Sequence, residues 1–151
     1  MNEDVKKRAL RILDKRDVSR KMLIDKLTEK GASEEDAQEV ADWLCDIGAV
    51  NDARFAELVV RHYALKGYGV RRIREELYRR GIHRDLWEEA LSQLPEAEDT
   101  VYRLLTNKLR GTEGAPADIQ RAQNALLRRG YSWEEIRAAV EHYHAENEEW
   151  E

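Results

Sequence analysis

The chain has one cysteine, two prolines and one phenylalanine among 151 residues. A lone Cys45 excludes an internal disulfide framework and fits a reducing compartment. So few prolines leave long helices uninterrupted. No apolar run approaches the ~18 residues of a membrane span, and the first residues lack the apolar core of a signal peptide. These absences predict a soluble cytoplasmic protein with no membrane contact. Phosphate-loop chemistry is also missing. Gly67-x-Gly69 would need a third glycine where Arg72 stands, with a strand before it. His142 and His144 lie two apart on a helical run, so they point to different faces and make a poor metal pair. Carboxylates are abundant, but on acidic helix faces they are solvated rather than catalytic. Cys45 has no histidine near it in sequence to activate it and reads as a small core residue. No enzyme, metal or cofactor is expected; a binding or regulatory module is the better class.

What is present is charge and helical periodicity. Charged residues make up 38% of the chain, which favours helices with wide solvated faces. The net charge of −5 hides a segregation. Residues 61–84 carry 8 basic and 2 acidic side chains, whereas residues 31–60 carry 1 and 8 and residues 85–100 carry 0 and 6. Stripes of opposite sign suit electrostatic docking onto a charged polymer.

The chain is organised around Lys66–Ile82. Gly67 and Gly69 open this stretch and are expected to let the chain reverse. Val70, Ile73 and Leu77 then recur at the spacing of one buried helical face, and Arg71, Arg72, Glu75, Glu76 and Arg79 fall on the other. Gly81 closes the helix where positive φ is expected.

Two weaker copies flank it. Gly31, Gly81 and Gly130 lie 50 and 49 residues apart, each preceded four residues earlier by a leucine (Leu27, Leu77, Leu126) and immediately by a cation (Lys30, Arg80, Arg129). A fixed period near 50 predicts stacked units. The expectation is an all-α protein of nine helices in three three-helix units, 1–50, 51–97 and 98–151, with little or no strand.

Local signals fill in the units. Val5, Ala9, Ile12 and Leu13 give the first helix its apolar face. Asp17 or Ser19 caps the second, which buries Leu23, Ile24 and Leu27, and Ser33 begins the third. In the second unit Phe55, Leu58, Val59, His62 and Tyr63 are expected on one face, and a helix from Asp85 to Leu94 is expected to bury Leu86, Trp87, Ala90 and Leu91 before Pro95 stops it. Residues 95–99 read as an exposed linker. In the third, residues 111–116 are the clearest loop, Pro116 suits a first helical turn, and Ser132 with Glu135 forms a capping box. The last helix is expected to bury Trp133, Ile136, Val140 and Tyr143, and the acidic stretch Glu146 to Glu151 to fray.

The basic block marks a candidate partner-binding surface: Lys66, Tyr68, Arg71, Arg72, Arg74 and Arg79, with Arg61 and Arg84 as weaker members. Tyr68, between two glycines, can project as an interface anchor. Reversal of Arg71, Arg72 and Arg79 to glutamate is expected to leave melting intact. Should those arginines not be the grip, Arg103, Lys108, Arg121, Arg128 and Arg129 are the alternative. Phe55, Gly67, Gly69, Ile73, Leu77 and Gly81 are expected to be structural.

The runs Ile47-Gly48-Ala49-Val50-Asn51-Asp52-Ala53-Arg54-Phe55-Ala56 and Lys66-Gly67-Tyr68-Gly69, followed by Arg72-Ile73-x-x-Glu76-Leu77-x-x-Arg80-Gly81-Ile82, resemble the RecX family of recombinase regulators. The resemblance extends to Ala9-Leu10-x-Ile12-Leu13-x-x-Arg16-Asp17-x-Ser19 and to Leu126-x-x-Arg129-Gly130-Tyr131, and so covers nearly the whole chain. Ala49 and Asn51 depart from the residues more usual there. The resemblance implies tandem three-helix units in a curved, elongated, solenoid-like arrangement. It also implies the absence of a catalytic site; a monomer is expected. The implied partner is the RecA recombinase filament on single-stranded DNA, whose ATPase, strand-exchange and coprotease activities would be inhibited, with effects on recombinational DNA repair and the SOS response. Weak direct DNA contact is a further expectation. The alternative is a helix-turn-helix module acting on DNA itself. Glu75 and Glu76 would neutralise part of its cationic face, and the acidic net charge is unlike a duplex binder.

Overall fold

The computed structural model describes residues 1–148. Among these it contains nine α-helices, one 3₁₀ turn and no strand. The helices are α1 (Glu3–Lys15), α2 (Arg20–Glu29), α3 (Glu34–Asp46), α4 (Asp52–Leu65), α5 (Val70–Arg79), α6 (Trp87–Leu91), α7 (Ala97–Leu109), α8 (Pro116–Arg128) and α9 (Trp133–Glu148). The 3₁₀ turn, Arg84–Leu86, precedes α6. The chain divides into two compact units. One holds Met1–Val59 with Glu76–Ser92; the other holds Val60–Glu75 with Gln93 onward.

The 50-residue period has a structural counterpart. Gly31, Gly81 and Gly130 all have positive φ, at 104°, 71° and 98°. In each case the glycine amide donates to the carbonyl three residues back, and the next amide donates to the carbonyl of the preceding leucine: Ala32 to Leu27, Ile82 to Leu77, Tyr131 to Leu126. These bonds satisfy carbonyls that a helix end would otherwise leave without donors. All three leucines are fully buried, each side chain contributing ~1.5–3 kcal/mol relative to exposure.

In the first unit α1, α2 and α3 pack on one another around Val5, Ala9, Leu23, Leu27, Ala37, Val40 and Leu44. Ile12, Leu13 and Ile24 border this core. Ser19 caps α2, accepting from the Met22 amide at 3.1 Å. Its hydroxyl is buried and also donates to the Arg80 carbonyl, the last before Gly81. The N-terminus of α2 is thereby tied to the end of the repeated motif that follows. The equivalent carbonyl on α2, that of Lys30, is met by the Arg8 guanidinium at 3.0 Å.

In the second unit α7, α8 and α9 pack around Val101, Leu105, Leu109, Ile119, Ala122, Leu126, Tyr131 and Ile136. Pro116 occupies the first turn of α8. Ser132 and Glu135 form the expected reciprocal cap, at 2.8 and 3.1 Å.

Several expectations change. The buried positions of α4 are Ala56, Val59 and Val60, while Leu58 and His62 are exposed and Phe55 is half-buried. Positions 56, 59 and 60 have the same i, i+3, i+4 spacing as the expected 55, 58 and 59, so the periodicity fits both sets and the buried face is rotated by one residue, with Val59 common to the two. The helix expected over 85–94 is instead the 3₁₀ turn followed by the short α6, which stops at Leu91, ahead of Pro95 and the residue before it that proline keeps from helical backbone. The linker expected over 95–99 is cut short, since α7 begins at Ala97. Trp133 is 44% exposed, whereas Ile136 is buried as expected, Val140 and Tyr143 pack against the core half-buried, and Ala139 joins the inward face. Glu146–Glu148 continue α9 rather than fraying, and residues 149–151 lie outside the described residues.

Candidate functional site

Helix α5 carries the basic block, and its local chemistry differs from a simple solvated face. Ile73 and Leu77 are fully buried, as expected, and Val70 is half-buried. Glu76, expected outside, is only 2% exposed. Its carboxylate accepts from Arg79 at 3.1 Å and from Arg80. Burying a carboxylate is tolerable only with such charged donors beside it. Arg79 and Arg80 therefore belong partly to the fold, since each holds the Glu76 charge.

The start of α5 is fixed by two glycines that play different roles. Gly67 has φ +85°, which accounts for its identity through backbone conformation. Gly69 lacks positive φ; it is glycine because another chain segment lies against it. The Gly69 amide donates to the Arg129 carbonyl at 2.7 Å, and the Arg71 amide donates to the Gly130 carbonyl at 3.2 Å. The open amides at the start of α5 are thus capped by the carbonyls at the end of α8.

Side chains gather at this crossing. The guanidinium groups of Arg72 and Arg129 lie over the Tyr68 ring, at 4.9 and 5.2 Å from its centroid. Arg129 Nη1 also donates to the Lys66 carbonyl at 2.8 Å, and Arg71 Nη2 to the Leu127 carbonyl at 2.6 Å. Tyr131, buried, donates its hydroxyl to the Gly67 carbonyl at 3.0 Å. Burial and then the Glu135 carboxylate push the Tyr131 phenol above its ordinary range, so it remains a donor. Tyr63 packs edge-on against Tyr68 at 5.8 Å, with the Lys66 ammonium 6.0 Å from its centroid.

The structure therefore brings Lys66, Tyr68, Arg71 and Arg72 into one corner and adds Arg129. Among the candidate contact residues it stood only in the alternative set of cations; its signals in the sequence were the repeated cation before each glycine and the run Leu126-x-x-Arg129-Gly130-Tyr131. Arg74 is half-buried and has interactions of its own, Arg79 is committed to Glu76, and Arg84 lies over Trp87 at 5.5 Å. Arg61 is exposed. The expectation that reversing Arg71, Arg72 and Arg79 leaves melting intact changes accordingly, because Arg71 and Arg79 hold groups of the fold. Among the described residues no group of His, Cys, Asp or Glu is arranged to hold a metal, and no helix is long and apolar enough to cross a membrane.

Family models for the first and second three-helix domains of RecX match residues 6–44 and 51–91. The regulatory protein RecX of Chromohalobacter salexigens is 33% identical over 135 residues, 89% of each chain. That of Xanthomonas axonopodis pv. citri is 38% identical over 136 residues, 88% of this chain and 83% of the relative. The crystal structure of RecX from Lactobacillus salivarius superposes with a TM-score of 0.83 at 22% identity, covering 93% of this chain and 94% of that one. This last likeness concerns the fold, whereas the matches above 30% identity concern descent. The chain belongs to the RecX family of regulatory proteins.

Proposed function

We propose that this chain is a non-catalytic cytoplasmic regulator of the RecA recombinase. It binds the RecA filament on single-stranded DNA and inhibits ATP hydrolysis, strand exchange and coprotease activity. Recombinational repair and the SOS response are restrained as a result. The observation that carries this reading is the match to regulatory RecX proteins over 88–89% of the chain. The repeated glycine-closed helices support it, and in this reading α1–α3, α4–α6 and α7–α9 are three tandem units, 1–50, 51–97 and 98–151. The basic block of α5 supplies partner contact, with Arg61 and Arg84 at its margins. The chain acts as a monomer, and any direct contact with DNA is weak.

The test is RecA-catalysed ATP hydrolysis on poly(dT) with increasing amounts of this protein. Hydrolysis falls as the protein is added. Unchanged hydrolysis at a molar excess overturns the reading. Binding to naked duplex with RecA unaffected would instead favour the helix-turn-helix alternative.

A further inference from the structure

One corner of the second unit gathers positive charge that the fold leaves uncompensated. Lys66 at the end of α4, Arg71 in the first turn of α5 and Arg129 at the end of α8 meet around the Gly69–Gly130 crossing. The hydrogen-bond partners of Arg71 and Arg129 are neutral carbonyls, those of Leu127 and Lys66. None of the three cations pairs with a carboxylate among the described residues. Like charges held together repel. Here they are also positioned: Arg129 is stacked over Tyr68 and anchored on a carbonyl, so little side-chain freedom is lost when an anion arrives.

The neighbours of these cations indicate which anion fits. Tyr68 already carries two guanidinium groups over its ring, and Tyr63 is engaged by His62, Tyr68 and Lys66. These rings are committed to one another and to cations, which is not the open stacking platform that single-stranded nucleic acid uses. Next in sequence to Lys66 stands Leu65, 83% exposed at the last position of α4. Single exposed leucines are common. At the edge of fixed cations, this one matches a protein surface in which an apolar side chain lies beside carboxylates.

We propose that this corner docks a carboxylate-bearing polypeptide surface. Lys66 and the guanidinium groups of Arg71 and Arg129 take side-chain carboxylates, and Leu65 packs against an apolar neighbour. The proposal rests on the reading above in one respect: the polypeptide is the protein component of the recombinase filament. Association weakens with salt, because exposed charges are screened within ~10 Å at 0.1 M.

The test uses the full chain and a Leu65→Ser/Lys66→Glu double variant. Both side chains are exposed and neither makes a hydrogen bond, so melting is unchanged. A Leu65→Ala/Lys66→Ala pair serves if the reversal perturbs melting. Binding is measured to RecA filaments on oligo(dT) with a non-hydrolysable ATP analogue, to poly-L-glutamate by amide NMR shifts, and to naked oligo(dT). The double variant binds filaments about tenfold or more weakly. Poly-L-glutamate shifts the amides of residues 65–72 and 127–131 in the wild type and much less in the variant. Undiminished filament binding by the variant overturns the proposal, as do shifts confined to other residues. Should naked oligo(dT) move the same amides more strongly at equal charge concentration, the corner is a nucleic-acid surface instead. If the wild type fails to bind filaments at all, the RecA reading fails, and the poly-L-glutamate shifts decide the corner by themselves.

Discussion

Gly69 is glycine because the backbone of Gly130 lies against it, whereas Gly130 has φ +98° of its own and in addition lies against the backbone of Arg72. A Cβ on Gly69 would stand 2.5 Å from the Gly130 carbonyl carbon and 2.6 Å from its oxygen. A Cβ on Gly130 would stand 2.6 Å from the Arg72 amide nitrogen. Bulk at either position separates the strands of chain that cap α5. The hydrogen bonds from Gly69 to Arg129 and from Arg71 to Gly130 then lengthen or break.

Gly69→Ala is accordingly expected to cost ~3 kcal/mol, at the upper end of overpacking changes, because the opposing atoms are backbone and cannot rotate away. Gly31→Ala is the control. Gly31 has φ 104° but nothing within 4 Å of its would-be Cβ, so only conformational strain remains, ~1–2 kcal/mol. Urea denaturation of the two variants measures the difference. Equal losses would show that the Gly69–Gly130 contact is not tight.

Glu76 gives a second prediction. Removing its charge leaves Arg79 and Arg80 around a neutral buried group. Breaking a buried pair costs ~3–5 kcal/mol. Here the Arg79 side chain is 68% exposed and that of Arg80 25%, so water compensates part of the loss. Glu76→Gln, which keeps the shape, is expected to destabilise by ~2 kcal/mol in urea denaturation, whereas Glu75→Gln on the exposed face changes stability by less than ~0.5 kcal/mol. Similar values for the two would place Glu76 at the surface.

The contrast between these glutamates shows where sequence reading reaches its limit. Helix ends were legible because their chemistry is local: the Ser132–Glu135 cap, Pro116 at the start of α8 and the three leucine–glycine motifs each lie within a few residues. The burial of Glu76 was not, since Glu76 with Arg80 has the spacing of an ordinary solvated helical pair. Nor was the second role of Gly69. A glycine required by a turn and one required by a close approach look the same until the distant partner, Gly130, is known. The cationic corner was half legible: Lys66, Tyr68, Arg71 and Arg72 stand together in sequence, while Arg129 arrives only through folding.

Cys45 supplies a pH prediction. Burial, followed by the Asp52 carboxylate, raises its thiol pKa, and Arg20 offsets this only in part. The thiolate is the reactive form, so a raised pKa leaves less of it at a given pH. Alkylation of the folded protein at pH 8 should be slower than in urea. The midpoint of its pH–rate curve should lie at higher pH when folded and drop on unfolding. Coincident midpoints in the two states would contradict the burial of this thiol.

The arginines of the basic block separate into those that hold the fold and those that do not, which decides how partner-binding variants are interpreted. Arg71 bonds the Leu127 carbonyl at 2.6 Å, an exposed charge-assisted contact of ~1 kcal/mol. Arg61 is exposed on α4 and makes no hydrogen bond or ion pair among the described residues. Arg71→Ala should therefore lower stability by ~1 kcal/mol in urea denaturation, whereas Arg61→Ala should stay within ~0.5 kcal/mol of the parent. In the reading proposed above, a loss of RecA inhibition in Arg61→Ala would then report contact directly. The same loss in Arg71→Ala would mix contact with a loosened junction between α5 and α8, and only inhibition measured well below the melting temperature of the variant would separate the two. Equal stability of both variants would mean that the Arg71–Leu127 bond contributes nothing to the fold, and a loss of inhibition in Arg71→Ala would then report contact as directly as one in Arg61→Ala.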